Sequence, residues 1–124
     1  MALKKTVTAI LTDKPIAAAG ETLLTDCLEL DLDAAVQVEI EVAITYGATE
    51  TAGAVVRVWG AAVTGVYTTD PIDEFPLPFT PGASEKISFQ TRASPRFMKV
   101  TVQNEDDAVA ASTVTVTATV QAVV

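Results

Sequence analysis

The sequence predicts an all-β chain: a single antiparallel β-sandwich of about seven to eight strands, with jelly-roll or Ig-like Greek-key connections. Three observations carry that expectation. Apolar and polar residues alternate over long stretches, which turns one face of each stretch toward a core and the other toward water. Ala, Val and Thr supply close to half of the 124 residues, and Val and Thr are β-branched. Turn-forming residues recur about every 8–15 positions, the spacing of a sandwich rather than of alternating strand and helix. No stretch keeps a helical period.

The elements follow in order. An opening strand covers about Leu3 to Leu11, within an N-terminal strand or arm of residues 1–12, and Pro15 with Gly20 supplies the turn after it. Leu24, Leu28, Leu30 and Leu32 share one parity against Glu29, Asp31 and Asp33, which reads as a second strand. Val36, Val38, Ile40, Val42 and Ile44 then share a face, with Gln37, Glu39, Glu41 and Thr45 opposite. Asp33-Ala34-Ala35 between these two segments predicts a hairpin or a tight crossing between sheets. A turn over Gly47 to Gly53 leads to Ala54–Gly60, with Val56, Val58 and Trp59.

Gly60 to Gly65 is the next turn, and Asp70 to Pro81 carries four prolines. Proline cannot donate to a ladder, so that stretch can hold at most a short edge strand. Lys86–Thr91 puts Ile87 and Phe89 on one face. Phe97–Gln103 sets Met98, Val100 and Val102 against Lys99 and Thr101. The last strand alternates Val114, Val116, Ala118 and Val120 with Thr113, Thr115, Thr117 and Thr119. There is no internal repeat and no linker, so residues 1–124 read as one domain. A domain of this size buries about two-thirds of its unfolded surface, and needs no disulfide or metal to fold.

Composition narrows the function. The formal net charge is −8 and there is no His. Phosphate binding needs a basic surface, so nucleic acid is not an expected partner. Without His, triads and imidazole metal sites are excluded, and the lone Cys27 excludes a thiolate zinc site; it reads as a small core residue. Ser84, Ser88, Ser94 and Ser112 have no base beside them in the pattern. No enzyme, cofactor or metal is expected. No segment reaches the ~20 apolar residues of a membrane helix, and the N-terminal apolar run is too short for a signal peptide. The expectation is a chain made in the cytoplasm, with no membrane partner.

Some features read two ways. Asp70, Asp73 and Glu74, and the cluster Glu105, Asp106 and Asp107, fall in expected loops, where charge is solvated; the alternatives are oxygen ligation of calcium and acid–base work by paired carboxylates. Trp59, Tyr67, Phe75 and Phe79 are core plugs or a sugar-stacking platform. Residues 15–56 contain no Lys or Arg but eight acidic residues, while Arg57, Lys86, Arg92, Arg96 and Lys99 come later. The two sets either polarise the surface for lattice contacts or cancel across neighbouring strands. Ala108–Val124 has no charged side chain. That strand is either central in its sheet or covered by a partner, because uncharged edges aggregate.

Residues 46–60, Tyr-Gly-Ala-Thr-Glu-Thr-Ala-Gly-Ala-Val-Val-Arg-Val-Trp-Gly, lead into 61–75, Ala-Ala-Val-Thr-Gly-Val-Tyr-Thr-Thr-Asp-Pro-Ile-Asp-Glu-Phe. Together with Arg96-Phe-Met-Lys-Val-Thr-Val-Gln-Asn104 and the Thr/Val final strand, this resembles small virion structural proteins of tailed bacteriophages, over roughly Asp31 to Val124. The resemblance implies a capsid decoration (cement) protein located in the virion. It would bind the major capsid protein or neighbouring copies, as a homo-oligomer or bound to the lattice. A neck or tail component is the alternative, and a carbohydrate-binding module using Trp59 and Tyr67 is the alternative of another class. The expected partner contacts are Leu3, Lys4 and Lys5 in the N-terminal segment, and Pro71, Ile72, Phe75, Pro76 and Leu77 in the proline-rich loop.

Overall fold

The computed structural model describes residues 2–123. Residues 1 and 124, the outer limits of the expected domain, lie outside the described residues. The strands are β1 (Leu3–Ile16), β2 (Leu30–Asp31), β3 (Ala35–Thr45), β4 (Ala54–Ala61), β5 (Asp73–Pro76), β6 (Ser84–Thr91), β7 (Phe97–Asn104) and β8 (Ala111–Val123). They form two four-stranded sheets, in the orders β1-β8-β3-β6 and β2-β7-β4-β5. Every pairing is antiparallel.

That order separates the two candidate topologies. An Ig-type sandwich keeps several consecutive strands in one sheet. Here every connection except β4–β5 crosses from one sheet to the other. Two four-stranded sheets interlocked in this way make an eight-stranded jelly roll.

The two alternating segments that dominate the sequence are cross-strand neighbours. Val42 of β3 faces Val116 of β8 and Ile87 of β6, and Ile40 faces Ala118 and Phe89. Val38, Ile40, Val42, Val114, Val116 and Ala118 are all fully buried. They meet Val56, Val58, Met98, Val100 and Val102 from the other sheet. Each fully buried aliphatic side chain contributes about 1.5–3 kcal/mol. The charge-free β8 lies between β1 and β3, so both of its edges are paired.

Several boundaries differ from the sequence pattern. The opening strand runs to Ile16, helped past Leu11 by register shifts that keep both Ile10 and Leu11 buried. The strand expected over Leu24–Leu32 shrinks to Leu30–Asp31. Leu24–Asp26 is a 3-10 turn, and Leu28 is exposed. Apolar parity misled there because the segment follows β7 without a regular ladder: Glu21 bridges Gln103, Thr22 bonds Val102, and the Val100 N–H donates to Cys27 Sγ.

Val36 is 54% exposed. A bulge between Ala35 and Gln37 shifts the register ahead of the buried run. Asp33–Ala34 is a crossing between sheets, and Ala34 adopts a left-handed φ of 63° to make it. The proline-rich stretch contributes β5, an edge strand in which Pro76 stands opposite Val55.

Candidate interaction surfaces

The loops collect at two ends. At one end lie residues 17–20, 46–53, 77–83 and 105–110, joined by backbone bonds such as Ala19 N–H to Asp106 O and Gly82 N–H to Gly47 O. At the other lie 32–34, 62–72 and 92–96.

The first end is organised by Asp106. It was expected to be solvated, but it is 2% exposed. Its carboxylate accepts from the backbone N–H groups of Thr51, Ala52, Ala108 and Val109, and from the Thr51 hydroxyl. Those bonds, the Thr51 N–H foremost, hold its pKa down at about 2. Nearby Glu50 is also 2% exposed; Oε1 accepts from Gly47 N–H, but Oε2 has no partner among the described residues. Burial pushes the Glu50 pKa up, and the Asp106 charge adds to that. Tyr46 packs edge-on against Phe79 and donates to Pro78 O. Nothing in the one-dimensional pattern separates Asp106 from its solvated neighbours Glu105 and Asp107. An acidic residue three positions before Val109 that can accept from Ala108 and Val109 was the one available hint.

At the second end an open cleft of about 550 Å³ lies among Gly60, Ala61, Val66, Tyr67, Ile72 and Pro95. Its rim is pinned by Glu29, which accepts from the Thr64 and Tyr67 hydroxyls and from Gly65 N–H. Arg96 grips Asp31 with Nε and Nη2, at 2.9 and 3.2 Å.

The expected contact residues divide. Leu3, Lys4 and Lys5 are exposed at the start of β1, on the outer edge of its sheet. Pro76 is exposed and Pro71 half-buried. Ile72 and Phe75 pack against the core, with Phe75 stacked on Phe89 at 4.2 Å, and Leu77 is buried. Phe79 also packs on the core. Trp59 does not; it stands half-buried on the outer face of β4. Its Nε1–H donates to Thr101 Oγ1, and that hydroxyl donates to Glu21. Lys99 lies 5.6 Å from the centre of the Tyr67 ring. Cys27 is buried, and desolvation pushes its thiol up to about 11.

The early acidic and later basic residues meet across strands. Arg57 bridges Glu21 and Glu74, Lys86 reaches Glu41, Arg92 reaches Asp73, and Arg96 holds Asp31. Of the eight early acidic residues, Glu21, Asp31 and Glu41 meet a later cation in this way, while Asp33, Glu39 and Glu50 do not among the described residues, so the pairing is local and the net charge of −8 stays uncompensated.

No protein-family model matches the sequence, and no curated protein matches it. Solved structures do. The VP2 subviral particle of infectious bursal disease virus is similar over 97% of this chain, at 7% identity and a TM-score of 0.63; the match spans 32% of the VP2 chain. The vertex protein P5 of PRD1 is similar over 98% of this chain and 96% of its own, at 15% identity and a TM-score of 0.52. The disulfide-linked pili of Bacillus endospore appendages are similar over 99% of this chain and 88% of theirs, at 17% identity and a TM-score of 0.50. At such identities the likeness is one of fold: the eight-stranded sandwich described here is an architecture that viral capsid, vertex and pilus proteins also use.

Proposed function

We propose that this chain is a non-enzymatic structural protein of a virus particle, and within that class a head decoration protein of a tailed bacteriophage. The observation that carries the reading is the jelly roll itself, which spans the whole described chain and matches the PRD1 vertex protein over nearly the full length of both. The surface supports it. Five of the eight Lys and Arg side chains are in ion pairs, and the carboxylates of Asp106 and Glu29 are committed to holding loops. Among the described residues, the strand edge with Leu3, Lys4 and Lys5 is open, as is the cleft around Ile72 and Pro95. The mechanism is mass action: a protein that binds only the assembled lattice stabilises it.

The test is quantitative mass spectrometry of gradient-purified particles from producing cells. Decoration requires copies on the order of hundreds per particle; a neck or tail ring has roughly a dozen or fewer. Absence of the chain from particles overturns the reading. A sugar platform on Trp59 and Tyr67 is less well supported, because Lys99 lies over the Tyr67 ring and Trp59 is half-buried.

A further inference from the structure

Among the described residues the outer edge of β1 has no strand beside it, and its one ladder is with β8. A free edge of this kind is a template on which another extended segment can pair. From Leu3 to Ala9 the β1–β8 register is continuous, Leu3 opposite Val123 through Ala9 opposite Thr117; the first shift follows Ala9. The regular edge is therefore seven residues long, and its midpoint is Thr6. An antiparallel strand pair with a two-fold axis at Thr6 uses all of it, setting Leu3 against Ala9, Lys4 against Thr8 and Lys5 against Val7 of the second copy. Val7, 69% exposed, is then partly covered.

Charge points the same way. Beneath this half of β1 the second sheet is short, because β2 has only two residues. That leaves a groove of about 300 Å³ between the sheets, lined by Thr6, Thr8, Glu29, Asp31, Asp33 and Ala122. Lys4 pairs with Ala122, Thr6 with Val120 and Thr8 with Ala118, so Lys4 shares the inward face. In the two-fold pair, Lys4 of the second copy lies beside Thr8, at the mouth of the groove, where Asp31 is already paired with Arg96 and Glu29 already bonded to Gly65 and Tyr67, and Asp33 has no cation among the described residues. The symmetry repeats the contact on the other side, as an isologous interface requires.

We infer that two copies of this chain associate edge to edge through Leu3–Ala9 of β1, centred on Thr6, with Lys4 of each facing the acidic groove of the other. The two four-stranded sheets become one sheet of eight. The contact is smaller than a standard interface, so the dimer is concentration-dependent. It does not depend on which particle the chain joins, and its test needs no particle.

Sedimentation of the full chain at rising concentration is expected to show a monomer–dimer equilibrium that weakens with salt. Lys4→Glu is expected to raise the dissociation constant by about tenfold or more, with the circular dichroism unchanged. Thr6→Cys is expected to give a covalent dimer with a short bis-maleimide, since Cys27 is 4% exposed and does not compete. A chain that stays monomeric up to about 1 mM overturns the inference. So does a dimer indifferent to Lys4→Glu, or one crosslinked through Gln90→Cys on the opposite edge strand β6 but not through Thr6→Cys. Particle incorporation without dimerisation leaves the virion reading standing and removes this one.

Discussion

Asp106 and Asp31 sit at opposite ends of the sandwich, and each ties separate segments together. Asp106 is buried, and its carboxylate serves four backbone N–H groups drawn from two loops. Asp31 is exposed, and it holds a guanidinium that water would solvate almost as well. The same carboxylate is a structural keystone in one place and a light fastening in the other. What differs is the fate of the partner when the bond is lost: an orphaned buried donor is costly, a rehydrated cation is not. The loop end around Asp106 should therefore be the rigid end, and the cleft end around Ile72 and Pro95 the yielding one.

The comparison breaks first at Asp106→Ala. It is expected to lower Tm by about 10 °C or more, measured by thermal circular dichroism. A change of only a degree or two would mean that water reaches those amides. Tyr46→Phe removes the bond to Pro78 O and should cost about 1 kcal/mol in denaturant unfolding.

Next comes pH. The folded pKa of Glu50 is raised, so its contribution is fully present below its unfolded value and lost as pH rises through the folded one. Asp106 has the opposite sign: its contribution is present above the ordinary Asp value and lost as pH falls through about 2. Tm should therefore peak on the acid side of neutrality and decline as pH rises through the raised Glu50 pKa. Glu50→Gln should remove that decline and raise Tm at pH 8 by a few degrees; a wild-type profile flat from pH 4 to pH 8 would show that Oε2 is solvated. The smallest effect is expected at the other end, where Asp31→Ala should move Tm by less than about 2 °C.

Much of the architecture was legible in the sequence, for a physical reason. β3 and β8 are half-buried along their length, so period-two alternation survives in them intact. The central position of β8 was readable from its lack of charge. The leucines at 24 and 28 deceived because parity reports a possible face and not a ladder; that segment borders β7 through scattered bonds. Val36 failed for a related reason, since one bulged residue inverts every assignment before it. Charge pairing required knowing which strands are neighbours, which parity does not encode. Asp106 was invisible because what buries it are the loops at 46–53, more than fifty residues away in sequence.

One feature of the sheet order reaches beyond the finished molecule. β1 finds its ladder only in β8, and β4–β5 is the one pair of consecutive strands that are neighbours. As the chain leaves the ribosome, β1 must wait until some hundred further residues have been made before its partner exists. Topologies dominated by such distant pairings fold slowly. During that wait both edges of β1 are vacant, on nascent chains crowded along one message.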